Sequence, residues 1–298
     1  MQNSYIKNYL HLHFIVFIWG FTAVLGALIT INAIPLVWYR VLLASLFILL
    51  FILTRKSSLK VSLRSLMKFL FGGAVIGLHW ITFFYAIKVS NVSITLATMS
   101  TGALFTTLLQ LLIFKEKIVK YELIFGLLAI VGLFMIFNAE TGFTVGIIYA
   151  LISSFLSASF AILNAEMVKT HEPITISFYE LFFATLVITI ILLFNNAFTA
   201  DFFKLEMSDW FYLIILSSIC TAYAFVASTK VLKSVSAFTM MLTINLEPVY
   251  GILLALLIFR SKEVMDINFY IGAILILVTV ILNGLIKYRP TIFQFKSK

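Results

Sequence analysis

Ten stretches of apolar residues, separated by short polar connections, dominate the pattern of hydrophobic and polar positions along this chain. Each stretch is close to the ~20 residues that an α-helix needs to cross the hydrocarbon core of a bilayer. We number them segments 1 to 10, and they cover residues 12–30, 35–53, 66–87, 93–114, 121–138, 143–163, 174–194, 210–231, 235–258 and 267–286. The pattern therefore predicts a polytopic membrane protein.

The ten segments are predicted to be helices. They lack the alternation of apolar and polar residues that marks the strands of membrane barrels, and lipid cannot satisfy the backbone groups of an open strand. Hydrophobic residues make up 62% of the chain and charged residues only 11%, whereas soluble domains are about 25% charged. We predict an all-α polytopic membrane protein with ten transmembrane helices and no room for a soluble catalytic domain.

Segment 1 and the single cysteine need separate consideration. The apolar run of segment 1 exceeds the roughly 7 to 15 residues of a signal-peptide core, so we expect it to be retained as a helix. Cys220 in segment 8 is the only cysteine. The chain therefore cannot form an internal disulfide, and we expect Cys220 to be a small packing residue.

The positions of lysine and arginine predict the orientation. Basic loops tend to stay on the cytoplasmic side of a membrane. With the N-terminus on that side, most of the 21 Lys and Arg residues are cytoplasmic, including those of loop 55–64 and of the tail. The connections on the other side hold only Lys88, Lys204, Arg260 and Lys262. Both termini are thus predicted to be cytoplasmic, and the net charge of +9 needs no nucleic-acid partner.

The second half of the chain repeats features of the first half. Residues 36–44 of segment 2 align with residues 176–184 of segment 7, so that Tyr39-Arg40 matches Tyr179-Glu180. Residues 111–115 at the end of segment 4 likewise match residues 256–260 at the end of segment 9. Because five segments form each copy, the second copy enters the membrane from the opposite side. This predicts two inverted five-helix repeats, at residues 1–138 and 143–286, and a basic cytoplasmic tail at 287–298.

Several short motifs resemble those of the EamA branch of the drug/metabolite transporter superfamily. They are Trp19-Gly20-Phe21-Thr22, Pro35 with Tyr39-Arg40, Tyr85-Ala86-Ile87-Lys88, Phe114-Lys115-Glu116, Gly126, Gly132, Asn245-Leu246-Glu247-Pro248 and Gly272. The resemblance covers essentially the whole chain. It implies ten helices in two repeats and export or uptake of a small metabolite through a central cavity, with export the commoner direction and a bacterial inner membrane the expected location.

The two copies also differ. Gly102-Ala103 stands in the first copy where the second has Glu247-Pro248, and Ser261 stands where the first copy has Glu116. The two halves are therefore not expected to be functionally equal.

Three charged residues, Arg40, Glu180 and Glu247, lie within the predicted spans and away from obvious membrane interfaces. Arg40 and Glu180 occupy matching places in the two copies, and two interpretations stay open: they pair across the repeat interface, or they flank the route of a substrate. Arg40 is only about five residues into its segment, roughly 7 Å at 1.5 Å per residue. A structural interpretation is therefore also open, in which its side chain extends to the membrane interface. Such groups are costly in lipid, by roughly 2.5 to 3.5 kcal/mol on insertion scales, and should face a cavity or a partner.

Glu247 lies deeper and is followed by Pro248. A proline inside a helix removes a hydrogen bond and tends to kink the helix. A carboxyl beside a hinge could couple proton binding to movement, because burial favours its neutral form. The alternative is a carboxyl that bonds to a neighbouring helix for packing alone.

Aromatic and polar side chains within the spans are further candidates for the cavity wall. They are Trp19, His79, Trp80, Tyr85, Tyr179, Asn245 and Tyr250, with Ser100, Thr101 and Gln110 in segment 4. Each also has a structural explanation, because tryptophan and tyrosine concentrate at membrane interfaces and small polar residues bond between helices. Gly73 and Gly77 form a Gly-x-x-x-Gly pair that permits close helix contact.

The sequence favours a secondary transporter of a small zwitterionic or neutral, amino-acid-like or amphipathic metabolite, with protons as a candidate coupling ion. No catalytic motif and no expected metal or cofactor site is found, and phosphorylated solutes would call for more basic residues within the spans. An intramembrane enzyme and a non-transporting scaffold are the alternatives. The oligomeric state is not predicted.

Overall fold

The computed structural model describes residues 2–55, 58–114 and 120–293. Within these ranges the chain is helical and contains no strand, as predicted. A π-helical turn lies at residues 218–223 and short 3₁₀ turns lie at 141–143, 200–203 and 260–263. The α-helices of the described chain are α1 Gln2–Leu28, α2 Ala33–Arg55, α3 Leu63–Val89, α4 Val92–Met99, α5 Gly102–Phe114, α6 Lys120–Ala139, α7 Thr144–Met167, α8 Pro173–Phe194, α9 Met207–Ser217, α10 Ala224–Val231, α11 Ala237–Ile244, α12 Glu247–Phe259 and α13 Ile267–Phe293.

Eight helical stretches in the described part of the chain are long and apolar enough to cross a membrane. They correspond to segments 1 to 4 and 6 to 9. Segments 5 and 10 correspond to shorter apolar stretches, Ile124–Ala139 and Ile267–Leu282. Length and composition therefore support eight spans, and a count of ten stays a prediction.

Segments 4 and 9 are each interrupted near their middle. In segment 4 the turn lies at Ser100 and Thr101, between α4 and α5, although no proline is present. In segment 9 the turn lies at Asn245 and Leu246, and Pro248 falls in the first turn of α12. The interruption thus comes just before Pro248 rather than at it, because proline is tolerated in the first turn of a helix and not in its interior.

The interrupted segments also begin alike. The Asn91 Oδ1 atom accepts a hydrogen bond from the Ile94 N–H at 2.9 Å and caps α4. The Ser236 Oγ atom accepts one from the Thr239 N–H at 3.1 Å and caps α11. Side-chain caps of this kind satisfy backbone groups that the helix leaves open.

Equivalent helices from the two copies lie antiparallel to each other. The end of α6 lies beside the start of α13, where the Asp266 N–H donates to Glu140 Oε1 at 3.0 Å. Farther along the same pair, a Cβ atom on Gly132 would lie only 2.8 Å from the Gly272 carbonyl oxygen, so the two backbones are in close contact. The contact requires glycine at both positions.

Two further pairs of equivalent segments, 2 with 7 and 4 with 9, are also antiparallel. The start of α2 meets the end of α8, where Trp38 Nε1 donates to Thr189 Oγ1 at 2.8 Å. The other ends meet where the Tyr179 hydroxyl donates to the Leu59 carbonyl at 2.8 Å. In segments 4 and 9, α4 starts beside the end of α12, and α5 starts beside Met241 of α11.

One end of the helix bundle is held together by carboxylates that accept backbone hydrogen bonds. Asp209 accepts from the N–H and the hydroxyl of Thr30 at 2.7 and 2.6 Å. Glu263 accepts from the N–H groups of Val92 and Ser93 at 3.0 and 2.8 Å. Glu263 thereby stabilises the N-terminus of α4, where a negative charge is favoured.

Candidate functional site

A cavity of about 90 Å³ lies at the centre of the bundle, between helices of both halves. It has room for several water molecules, each of which needs roughly 10 to 15 Å³. Side chains next to both helix interruptions, Met99, Ile244 and Glu247, contribute to its wall. The lining residues are Trp19, Thr22, Arg40, Ile76, His79, Trp80, Phe83, Met99, Ser157, Phe160, Ala161, Asn164, Phe225, Ser228, Thr229, Leu232, Met240, Met241, Ile244 and Glu247.

Arg40 is the cation of this cavity and is only 1% exposed. Its Nε atom donates to Thr221 Oγ1 at 2.7 Å. Its guanidinium carbon lies 4.1 Å from the centre of the Trp80 ring and 5.4 Å from that of Phe84. These contacts hold the cation in place, while its Nη1 atom has no hydrogen-bond partner in the described part of the chain.

The π-helical turn between α9 and α10 positions two side chains of the cavity. The Thr221 hydroxyl donates to the Leu216 carbonyl, five residues back, at 2.6 Å and accepts from Arg40. In the same turn the Cys220 carbonyl accepts a hydrogen bond from Trp19 Nε1 at 3.2 Å. A wider turn of this type leaves backbone carbonyls available for side chains, and π-turns are frequent at functional sites.

Glu247 supplies the acidic group of the cavity wall. It is the first residue of α12, where the helix dipole favours a negative charge. Glu247 and Arg40 line the same cavity. They are nevertheless not an ion pair, because the ion pairs within 4.0 Å among the described residues are Lys169–Glu166, Lys204–Asp201 and Lys233–Glu172. A cation and a carboxyl therefore line one space without neutralising each other directly.

His79 is fixed by a reciprocal contact with Ser153. The His79 Nδ1 atom lies 2.9 Å from the Ser153 carbonyl, and the Ser153 hydroxyl donates to the His79 carbonyl at 2.9 Å. The Ser153 hydroxyl also lies 2.8 Å from the same Nδ1 atom, so these contacts fix the position of the imidazole ring.

Glu180 lies behind the cavity wall and does not pair with Arg40. It is fully buried, and its Oε1 atom accepts from Asn164 Nδ2 at 3.0 Å. Asn164 itself lines the cavity. Of the two interpretations of the matched charges, a bridge between Arg40 and Glu180 is therefore absent from this structure.

Comparison with known proteins identifies the family. The sequence pattern described as the EamA-like transporter family matches residues 8–138 and again residues 144–285, which together cover most of the chain. The chain belongs to the EamA-like transporter family. This confirms the resemblance inferred from the sequence, and the chain is an integral membrane protein.

Individual proteins are also similar to this EamA-like chain. An "Uncharacterized transporter" of Clostridium kluyveri is 20% identical over 207 residues, which cover 67% of this chain and 65% of the relative. The chain thus spans slightly less than two thirds of that relative's length. A solved crystal structure matches with a TM-score of 0.69 and 13% identity over 95% of this chain and 99% of the other, which shows a shared fold.

The sequence candidates of this EamA-like chain divide into two groups. Trp19, Arg40, His79, Trp80 and Glu247 line the central cavity. Those outside its wall are Tyr85, Tyr179, Glu180, Asn245, Tyr250, Ser100, Thr101 and the hinge candidate Pro248, while Gln110 lines a second cavity.

Several candidates outside the wall have structural contacts instead. Tyr85 is 38% exposed and packs against Tyr149 with ring centres 4.5 Å apart. Tyr250 packs edge-on against Phe17 at 5.4 Å. Asn245 is 2% exposed, in the turn that interrupts segment 9.

The sequence interpretation missed the polar residues that α7 and α10 contribute. Asn164 fell outside segment 6, which was predicted to end at residue 163, whereas α7 continues to Met167. Ser228 and Thr229 lie within segment 8, and their adjacent hydroxyls near Lys230 were a usable signal.

A second cavity of about 230 Å³ lies beside the first in the EamA-like bundle. Leu232 contributes to the walls of both. The second cavity is also lined by Glu166 and Lys169, which are exposed. It lies at the end of the bundle opposite to Asp209 and Glu263.

Proposed function

We propose that this EamA-like protein is a secondary transporter that carries a small zwitterionic solute through its central cavity. The observation that carries the proposal is that Arg40 and Glu247, which belong to opposite halves of the chain, line one cavity without forming an ion pair with each other. Secondary transporters bind their solutes near the middle of the bilayer, between two structural repeats and beside interrupted helices. The interruptions of segments 4 and 9 supply that feature here.

The chemistry of the cavity wall supports the solute class. Arg40 Nη1 is available to donate to a carboxylate, and guanidinium groups bind carboxylates well. Glu247 offers an acceptor for an ammonium group. Trp19, Trp80 and Phe225 add aromatic surface for an apolar part of the solute. An amino-acid-like metabolite combines these three features, whereas a phosphorylated solute would have a single cation to bind.

The proposal includes the architecture that alternating access requires. We infer ten crossings arranged as inverted repeats, residues 1–138 and 143–286, with a basic tail at 287–298. The antiparallel packing of three pairs of equivalent segments supports the inversion. The close contact of α6 with α13 supports the inclusion of segments 5 and 10 as a pair of crossings. Two copies of this kind can exchange conformations and so open the cavity to either side.

We also propose an orientation and a direction. Both termini lie in the cytoplasm of a bacterium, the protein resides in the inner membrane, and it exports its solute. The distribution of lysine and arginine supports the orientation, and the tendency of the family supports export. The second cavity then lies on the cytoplasmic side of the central cavity, and Leu232 contributes to the walls of both.

Glu247 can link solute binding to protons. A neutral carboxyl no longer attracts an ammonium group, so a proton on Glu247 would compete with the solute. Glu247→Gln is expected to weaken binding of an amine-bearing solute roughly tenfold or more, since a hydrogen bond to a charged group is worth about 1.5 to 3 kcal/mol. An analogue without the amine should be affected little, and Glu166→Gln, which changes an exposed carboxyl, should leave binding unchanged.

Transport can be tested in liposomes that contain the purified protein. The liposomes are loaded with a mixture of metabolites, and the loss of each compound is compared with that from protein-free liposomes. We expect selective loss of a zwitterionic compound and exchange of its radiolabelled form against an unlabelled gradient. Loss of no compound above the protein-free level, or chemical conversion of a compound, would contradict transport and favour a scaffold or an enzyme.

A further inference from the structure

A second buried polar pair lies directly behind the wall of the central cavity. Asn164 on α7 forms part of that wall, and its Nδ2 atom donates to Glu180 Oε1 on α8 at 3.0 Å. Asn164 is 1% exposed and Glu180 is fully buried. The remaining oxygen of each group, Asn164 Oδ1 and Glu180 Oε2, is buried and has no hydrogen-bond partner among the residues that the structure describes.

These two oxygens cannot bond to each other while Glu180 is ionised. An amide oxygen and a carboxylate oxygen are both acceptors. One proton on Oε2 turns it into a donor, and the acid and the amide can then form two parallel bonds, from Nδ2 to Oε1 and from Oε2 to Oδ1. Buried polar atoms in native proteins almost always have a partner. The arrangement therefore matches a neutral Glu180.

In the described ranges of the chain, no cationic side chain forms an ion pair with Glu180 that would stabilise its ionised form. Among the described residues, Asn164 is the polar side chain that forms a hydrogen bond with Glu180. On the helices packed around it, Arg40 of α2 is held by Thr221, and His79 of α3 is held by Ser153. The exposed charged residues of these helices are Arg55 on α2, Arg64 and Lys68 on α3, Glu166 on α7 and Lys230 on α10.

We propose that Glu180 and Asn164 form a proton-binding site of the transport cycle, separate from the solute site at Arg40 and Glu247. The inference rests on the proposed transport function. Glu180 Oε2 takes a proton from water, which converts the carboxylate to the neutral acid, and returns it to water in another conformation. Asn164 connects this site with the cavity, because it is the member of the pair that lies in the cavity wall.

Proton binding at this site would favour the conformation seen here. The neutral pair ties α7 to α8 with two hydrogen bonds, whereas the ionised pair leaves a carboxylate in apolar surroundings with a single bond. An unpaired buried charge is costly. Loss of the proton would therefore shift the population towards a conformation in which Glu180 reaches water.

Infrared spectra of the purified protein in H₂O and D₂O report a protonated carboxyl directly. We expect wild type to show a carboxylic-acid carbonyl band that shifts in D₂O, and Glu180→Gln to lose that band. Glu166→Gln is the matched control, since it removes an exposed carboxyl on the same helix as Asn164, and it should keep the band. A spectrum of Glu180→Gln in which the whole wild-type band persists would overturn the proposal.

A second variant covers the case in which Glu180→Gln does not fold. Asn164→Leu is similar in size and removes both bonds to Glu180. The band should then move to the frequency of an acid whose carbonyl accepts no hydrogen bond. An unchanged band in Asn164→Leu would separate Glu180 from Asn164 and would also overturn the proposal.

Transport by Glu180→Gln tests the role of the proton. The glutamine amide can form the same two bonds with Asn164, so it imitates the neutral acid and cannot release a proton. We expect exchange of labelled against unlabelled solute to continue at equal pH on both sides. Accumulation driven by an imposed pH gradient should fall below that of wild type, and any part that remains is the contribution of Glu247.

The outcomes separate this inference from the proposed function. If wild type exchanges solute and Glu180→Gln keeps the wild-type response to a pH gradient, the proton site is wrong and transport stands. If wild type exchanges no solute, the transport proposal fails, and with it the role of the proton in a cycle, whatever the infrared band shows.

Discussion

Arg40 and Glu180 occupy the same place in the two copies of the chain, yet their surroundings differ. Arg40 lies in the cavity wall, where it bonds to Thr221 and contacts the Trp80 ring. Glu180 lies one layer farther out and bonds to Asn164. Duplication has therefore preserved the position of each residue on its helix, while the neighbouring helices determine what each charge can bind.

The tyrosines that precede these charges have kept a common role. The Tyr39 hydroxyl donates to the Phe202 carbonyl at 3.1 Å, in the connection after α8. The Tyr179 hydroxyl donates to the Leu59 carbonyl at 2.8 Å, in the connection after α2. Each tyrosine thus ties its own copy to the other copy. The two halves therefore use equivalent tyrosine hydrogen bonds to hold each other, whereas the charged residue that follows each tyrosine has a different role.

The largest effect is expected from exchanging the two charges. Arg40→Glu and Glu180→Arg should each lower the free energy of unfolding by about 3 to 5 kcal/mol, because each leaves a buried charge without compensation. The double exchange should not restore stability, since the two residues have different partners. Unfolding of the purified variants in detergent measures this.

A control for the charge exchange is available at the protein surface. Lys233 and Glu172 form an exposed ion pair at 3.2 Å. Exchanging their charges should cost less than about 1 kcal/mol. Recovery of wild-type stability by the Arg40 and Glu180 exchange would show that the two residues do pair in solution.

A smaller effect is expected from Arg40→Lys, which keeps the charge and removes the planar guanidinium group. The bond to Thr221 and the donors for a carboxylate depend on that group. The solute concentration that half-saturates exchange should rise roughly tenfold or more, because about 1.5 to 3 kcal/mol of binding free energy is lost. Arg55→Lys, an exposed change on the same helix, should leave it unaltered, and equal values for both variants would argue against Arg40 as the carboxylate site.

The next-largest effect, on the free energy of unfolding, is expected from substitution of Gly73, which packs next to Glu180. A Cβ atom on Gly73 would lie 2.9 Å from the Phe183 Cβ and 3.0 Å from the Ala184 N atom, so Gly73→Ala should cost about 1 to 3 kcal/mol. On Gly77 the nearest atom, the Ala184 Cβ, would be 3.5 Å away, which is an ordinary contact. Gly77→Ala should therefore change the unfolding temperature little. Equal shifts for the two variants would contradict close packing at Gly73 alone.

The smallest effects are expected from the two tyrosines. Tyr39→Phe and Tyr179→Phe each remove one hydrogen bond, worth about 0.5 to 1.5 kcal/mol. The two losses should be similar, because the bonds are equivalent. Thermal unfolding of both variants side by side checks this, and a clearly larger loss for one of them would show that the copies are held together unequally.

Much of this arrangement could be read from the sequence. Apolar runs revealed the helices, the Tyr39 and Tyr179 motifs revealed the duplication, and intramembrane charge pointed to Arg40 and Glu247. Those signals depend on composition and spacing along one helix. They are therefore visible in a single sequence.

Other features depend on contacts between helices and could not be predicted. Asn164 was placed beyond segment 6, because polarity alone does not show that a helix continues past it. The partnership of Arg40 with Thr221 depends on a π-turn that no residue pattern marks. The interruption of segment 4 at Ser100 likewise lacks the proline that made segment 9 conspicuous.

The π-turn at residues 218–223 also sets the rotational phase of everything that follows it in its span. Each residue advances an α-helix by about 100°, and a π-turn amounts to one inserted residue. Excising a single residue there would restore regular winding and rotate α10 by that angle, which would carry Ser228 and Thr229 off the wall and towards other neighbours. The identity of the hydroxyls presented to a solute therefore depends on the length of a six-residue turn as much as on the residues themselves.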